Sequence, residues 1–153
     1  MSVKLRCVFW NINGRMQFLT SDFISSWLDK NCDVLFVTET HLCKCQKFKL
    51  KKFLDFHSPF SDAGVRYPRG GVSCFVVPSI LRYIENIDRD TPELIIVRFI
   101  GGDTLFSTYI APSDSSYYHA TDFNRVCNIL KKVSCECIVV GVVILIHVLV
   151  TRN

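Results

Sequence analysis

Short apolar runs alternate with polar punctuation along most of this chain. Leu5 to Trp10 is an apolar-rich run that predicts a strand, and it ends in Asn11, Asn13 and Gly14, residue types that suit a backbone leaving a sheet. The segment TSDFISSWLDKN, residues 20–31, predicts a helix. Thr20 or Ser21 is placed to cap it, Phe23, Ile24, Trp27 and Leu28 share one face, and Asn31 is a natural stop. DVLFVTET, residues 33–40, packs Val34, Leu35, Phe36 and Val37 without a break, which suits a strand covered on both faces. Strand, helix, strand is an α/β opening.

Beyond Asp62 the pattern becomes β-rich. GGVSCFVV, LRYIENI, ELIIVRFI and TLFSTYIA are separated by Pro78-Ser79, by the polar residues Asp88 to Pro92, and by Gly101-Gly102-Asp103, the last a hairpin signal. An amphipathic stretch from about His119 to Lys132 predicts a second helix, with Phe123, Val126, Cys127, Ile129 and Leu130 apolar. The apolar tail from Cys137 to Val150 is shorter than the roughly 18–20 residues that span a bilayer, and Gly141 and His147 interrupt it. A buried strand at its start is expected, and no stable membrane insertion.

Composition narrows this picture. At 153 residues, 49% hydrophobic and 12% aromatic, the chain can bury one real core. A net charge of +4 and a pI near 8.6 admit an acidic partner such as nucleic acid without requiring one. Lys44, Lys47, Lys49, Lys51 and Lys52 form a local positive run interleaved with Phe48, Leu50 and Phe53, which a solvated face explains as readily as phosphate contact. The N-terminus shows no signal peptide, so the eight cysteines are expected to be reduced thiols of an intracellular protein, nuclear or cytoplasmic. The pairs Cys43/Cys45 and Cys135/Cys137, with His41 and His57, invite a zinc assignment, but structural zinc sites use wider spacings within each ligand pair.

Candidate chemistry lies at strand ends. Glu39 follows four apolar residues at the end of a strand expected to be buried, where an unpaired carboxylate is expensive. Asn11 ends the preceding strand, and two neighbouring strands that both end in oxygen-bearing side chains suit a hard cation such as Mg²⁺. Tyr109 ends a third apolar run just before a Pro/Ser/Asp loop, where a phenol can donate to a phosphate oxygen. A hydrogen-bonded structural glutamate and a packing tyrosine are the plainer readings of the same residues.

Taken together, WNINGR, VTETHL, RGGVSCFVV and STYIAPSDSSYY resemble, in order, four motifs of the endonuclease/exonuclease/phosphatase superfamily, and within it the apurinic-endonuclease-like domains of non-LTR retrotransposons. The resemblance runs from about Leu5 to Cys137. It implies a two-sheet α/β sandwich with its C-terminal part missing, and metal-dependent cleavage of a phosphodiester in DNA. By position, Glu39 would ligate Mg²⁺ or Mn²⁺ and Asn11 would help hold the metal-bound water or phosphate. Tyr109 would contact the phosphate, and Asn13 falls at a supporting polar position.

One motif departs from the pattern. Where family members carry Gly-Asp-x-Asn, this chain reads Gly141-Val142-Val143-Ile144, so the residue that activates the attacking water has no counterpart. The later aspartate and histidine motifs should lie beyond this point. The expected organisation is a partial nuclease domain over residues 1–144 and a divergent apolar tail over 145–153, with weak cation binding and no catalysis. A non-catalytic module that keeps the fold to bind nucleic acid or protein is the alternative. Other chemistries lack their motifs: there is no Gly-x-x-x-x-Gly-Lys loop, His-Glu-x-x-His or Gly-x-Ser-x-Gly.

Overall fold

The first two apolar runs become neighbouring parallel strands: β1, Ser2–Asn11, pairs with β2, Val34–Thr38, in the register Cys7 to Val34 through Asn11 to Thr38. The connection between them holds a 3-10 segment, Met16–Thr20, and the helix α1, Asp22–Asn31. A computed structural model describes residues 2–43, 46, 48–58, 70–110, 114, 120–132 and 143–151.

Around this unit the first sheet grows by antiparallel additions. β3, Leu54–His57, pairs with β4, Val72–Val76, and β4 pairs with β2. On the other side β8, Val143–Thr151, runs antiparallel to nearly the whole of β1. The strand order is β3-β4-β2-β1-β8. β8 passes unbroken through the start of the expected divergent tail, so the backbone of residues 145–151 belongs to the sheet.

The second sheet is an antiparallel meander of β5, Ile84–Thr91, β6, Leu94–Phe99, and β7, Thr104–Thr108. The Gly101-Gly102 turn joins β6 to β7 as the pattern predicts, with both glycines at positive φ. Two expectations change here. Asp88 to Thr91, read as a polar separator, continues β5 with two register shifts, because pairing to the buried β6 holds an otherwise polar edge strand in place. Leu81 to Tyr83, read as strand, belongs to a 3-10 segment, Pro78–Tyr83, entered at a proline that fixes φ.

The strands pack as layers because their side chains alternate. Leu5, Cys7, Phe9, Val34, Phe36, Val72, Cys74 and Val76 face Ile95, Val97 and Phe99 across the space between the sheets. Phe9 and Phe36, cross-strand partners, stack at 4.8 Å. The opposite face of the first sheet, Val8, Leu35, Val37 and Phe75, is covered by Met16, Leu19, Leu28, Leu50 and Phe53. β2 is therefore buried on both faces, as its unbroken apolar run predicts. Outside the second sheet, Leu94, Ile96 and Phe106 pack against Val126 of α2, Ala120–Leu130. Helix, sheet, sheet, helix is an α/β sandwich.

Two surface features also differ from the pattern. Of the apolar face read on α1, Leu28 is buried and Ile24 half-buried, but Phe23 is 78% exposed and Trp27 is exposed. In the lysine run, Leu50 and Phe53 are core residues while Lys49, Lys51 and Lys52 point to solvent, and Lys52 pairs with Asp29 of α1 at 3.0 Å. The interleaved aromatics there serve packing. Lys44 and Lys47 lie outside the described residues, as do Cys45, Cys135 and Cys137, His119, and Gly141-Val142.

Candidate active site

β1 and β2 are parallel, so their C-terminal ends emerge on one edge of the sheet, and the two backbones stay joined past it. Ile12 N–H donates to the Thr38 carbonyl at 3.1 Å and Gly14 N–H to the Glu39 carbonyl at 2.6 Å. These bonds bring Asn11 and Glu39 face to face. Asn11 Nδ2 donates to Glu39 Oε1 at 2.8 Å, and Asn11 Oδ1 accepts from the Asn13 backbone N–H at 3.1 Å. The carboxylate demands a donor and the N–H an acceptor, so the network itself orients the amide. The Asn-x-Asn turn forms as read, and the same amide that closes it also holds the carboxylate.

The backbone around this contact is unusual. Asn13, Glu39 and His41 have φ values of 46°, 54° and 52°, and they are the non-glycine residues at positive φ among those described. Left-handed backbone costs an L-residue about 1–2 kcal/mol, and such strain clusters at functional sites. Here it turns Glu39 and His41 off the strand on either side of buried Thr40. Thr40 N–H and His41 N–H donate to the Gly71 and Gly70 carbonyls at 3.3 and 3.0 Å, tying the Glu39 loop to the entrance of β4.

Glycine is required at two of these approaches. At Gly14, φ +73°, an added Cβ would lie 2.3 Å from His41 Nδ1. At Gly71, φ +87°, it would lie 2.6 Å from Thr40 Oγ1. His41 is thereby brought to Glu39, with Nε2 3.8 Å from Oε2. Tyr109 comes from the end of the second sheet, its N–H donating to the Glu93 carbonyl at 2.9 Å, and its ring lies beside Gly70. The structure thus joins Asn11, Asn13 and Glu39, ties the backbone after Glu39 to Gly70-Gly71, and sets the Tyr109 ring beside Gly70. The sequence reading did not give His41, Thr40, Gly14 or Gly70 a place in this site, because the left-handed backbone at Glu39 and His41 that sets them there is held by contacts distant in sequence.

Glu39 side-chain exposure is 19%, enough for one face of the carboxylate to meet solvent. Oε1 is held by Asn11, and among the described residues Oε2 has only His41 in its neighbourhood. No three His, Cys, Asp or Glu side chains form a metal cage among the described residues. The described thiols are free, and burial pushes that of Cys7 up to about 12 and those of Cys32 and Cys74 upward as well.

Solved structures share this arrangement of sheets. An AP endonuclease from Archaeoglobus fulgidus is similar with a TM-score of 0.55 at 20% identity, over 84% of this chain and 51% of that one. The 3'-5' exonuclease NExo from Neisseria meningitidis gives 0.53 at 15% identity, over 84% and 54%. A 3' phosphatase NExo from Neisseria, bound to a product DNA hairpin, gives 0.52 at 15%, over 84% and 53%. The fold is shared with these AP endonuclease and exonuclease structures. The chain spans about half the length of each of them. No family model matches the sequence, and no curated protein does. Among the described residues no helix is long and apolar enough to cross a membrane.

Proposed function

We propose that this chain is a retroelement-derived, nuclease-type domain that binds a divalent cation and a DNA phosphodiester at the ends of β1 and β2, and that it does not itself cleave DNA. The contact between Asn11 and Glu39 carries the reading. A half-buried carboxylate is held by an amide through one oxygen, at the strand-end edge where α/β sheets place their sites.

The donor set suits a hard cation. Mg²⁺ keeps several waters and takes one or two carboxylates plus substrate phosphates, which one oriented glutamate satisfies where a structural zinc site would need four ligands. When bound, Mg²⁺ or Mn²⁺ would act as a Lewis acid on a phosphoryl oxygen. Glu39 Oε2 is the protein oxygen for that ion, and Asn11 fixes the carboxylate that bears it. Tyr109, beside Gly70, is the candidate phosphate contact.

The absence of cleavage is argued from residue type. Val142 and Ile144 stand where the resembled motif has aspartate and asparagine, and an aliphatic side chain can neither accept a proton nor hold a water. A second reading follows from the same substitution: a module that retains DNA or protein binding without chemistry. Calorimetric titration of Mg²⁺, together with nicking of supercoiled DNA, tests both. Weak binding that is lost in Glu39→Gln and no nicking are expected. Glu39-dependent nicking would overturn the inactivity, and tight binding unchanged by Glu39→Gln would overturn the site. Salt-dependent DNA binding without cleavage is the outcome of the second reading.

A further inference from the structure

Beyond the last paired residues of β3 and β4, the hydrogen-bond ladder changes its acceptor. Ser58 N–H donates to the Val72 carbonyl at 3.0 Å, continuing the antiparallel register. Val72 N–H donates back to Ser58 Oγ at 3.1 Å, the side chain standing in for the carbonyl. The same hydroxyl then donates to the Pro92 carbonyl at 2.9 Å, in the turn between β5 and β6 of the second sheet. A hydroxyl offers one donor and two acceptor positions, and Ser58 uses one kind on each sheet. Both ends of this link lead to an assigned site residue. On the first sheet, Val72 follows Gly71 and Gly70, whose carbonyls accept from Thr40 and His41 N–H just after Glu39. On the second, Pro92 precedes Glu93, whose carbonyl accepts from Tyr109 N–H at 2.9 Å and from Thr108 Oγ1 at 2.8 Å. Glu93 is held in turn by Arg125 of α2, Nη2 to Oε1 at 2.8 Å.

We propose that Ser58 is a positioning residue: its hydroxyl sets the Tyr109 end of the second sheet against the Glu39 end of the first, so that cation and phosphate are bound as one unit. This rests on the reading of Glu39 as a cation ligand and Tyr109 as a phosphate contact. The burial between the sheets is apolar and non-directional. A hydrogen bond with a preferred angle adds a constraint on sliding that such burial lacks. Proline fixes φ, so the turn passes a displacement of the Pro92 carbonyl on to Glu93 and Tyr109 instead of absorbing it. A phenol donates and accepts at once, so Tyr109 can reach a phosphate while keeping its other interaction.

A double-mutant cycle on the full chain, read by fluorescence anisotropy of a short labelled DNA duplex in Mg²⁺, tests this. Ser58→Ala and Tyr109→Phe should each weaken binding by about fivefold, the scale of one hydrogen bond. The double variant should bind no more weakly than Tyr109→Phe alone, because Ser58 acts through Tyr109. Ser58→Thr keeps the hydroxyl and should restore binding. Mg²⁺ affinity measured without DNA should be the same in Ser58→Ala as in the native chain, which separates positioning from loss of fold. If Ser58→Ala does not fold, Ser58→Cys, with its weak donor, takes its place in the cycle. Losses that add in the double variant, native DNA binding in Ser58→Ala, no recovery in Ser58→Thr, or a changed Mg²⁺ affinity would overturn the role of Ser58 and leave the site standing. DNA binding indifferent to both Tyr109→Phe and Glu39→Gln would overturn the site and with it this inference.

Discussion

Asn11 Nδ2 lies 2.8 Å from Glu39 Oε1, and this contact links two residues 28 apart in sequence at the ends of adjacent parallel strands. The amide is the neutral half of the pair, and replacing it with a second carboxylate reverses the sign of the interaction. Asn11→Asp should lower stability by about 1–3 kcal/mol in the presence of a chelator, because like charges meet and a donor to Glu39 is lost. Millimolar Mg²⁺ should recover part of that loss, since a ligand that binds only the folded state stabilises it. Thermal melts with EDTA and with Mg²⁺ check this, and an Asn11→Asp melt insensitive to Mg²⁺ would count against a cation at this edge.

Gly14 and Gly102 both have positive φ, but only Gly14 meets a neighbour. Gly14→Ala should cost about 2–4 kcal/mol, combining left-handed strain with displacement of the His41 ring. Gly102→Ala, with nothing within 4 Å of the added carbon, should cost about 1 kcal/mol. Urea melts of the two variants compare them, and equal losses would mean that His41 is not seated against Gly14.

The apolar stripe of α1 is divided between core and solvent. Leu28→Ala removes a fully buried side chain and should cost about 2–5 kcal/mol. Phe23→Ser, at a residue 78% exposed, should change stability by less than about 0.5 kcal/mol and reduce binding of a hydrophobic dye. A large loss of stability in Phe23→Ser would show that this face of the helix is covered.

His57 gives stability a pH dependence. Its Nδ1 lies 2.6 Å from Ser73 Oγ and its Nε2 3.2 Å from Asp55 Oδ2, with its ring edge-on to Phe75. Burial lowers its pKa, and the nearby positive charge of Arg89 acts the same way. Asp55 and the Phe48 backbone oppose them without reversing the direction. With the folded value below the unfolded value of about 6.5, the unfolded chain binds the proton more readily. The contribution of neutral His57 is complete above about pH 6.5 and is lost as pH falls through that value toward the folded one. His57→Asn should flatten the fall in melting temperature between pH 7 and pH 5. An unchanged slope would place the titrating group elsewhere.

Asp33 binds Arg6 three ways, through the Arg6 backbone N–H at 2.8 Å, Nε at 3.0 Å and Nη2 at 2.7 Å. Arg6 also reaches the Lys30 carbonyl. The Arg6 side chain is 38% exposed, so solvent screens the ion pair and Arg6→Met should cost only about 1 kcal/mol. Asp33→Ala, which also strands a backbone donor, should cost about 2–3 kcal/mol. Chemical denaturation of the two variants separates the charge from the hydrogen bond, and equal losses would assign the effect to the ion pair alone.

The features legible in the order of residues are local in origin. The unbroken Val34 to Val37 run suits a strand buried on both faces, and Gly101-Gly102-Asp103 reads as a hairpin turn; both form as read. Asn11, Glu39 and Tyr109 each end an apolar run, and chain direction carries such ends to a sheet edge. The remaining features depend on partners distant in sequence. Asp88 to Thr91 is strand because β6 pairs with it, β3 exists because β4 supplies its register, and Phe23 is exposed because the sheet beneath α1 accepts only part of the helical stripe. His41 likewise acquires its place from Gly14, Gly70 and Glu39 together. A positive φ at a non-glycine residue is unfavourable on its own and is held only by the packing and hydrogen bonds around it, so no local pattern of residue types announces it.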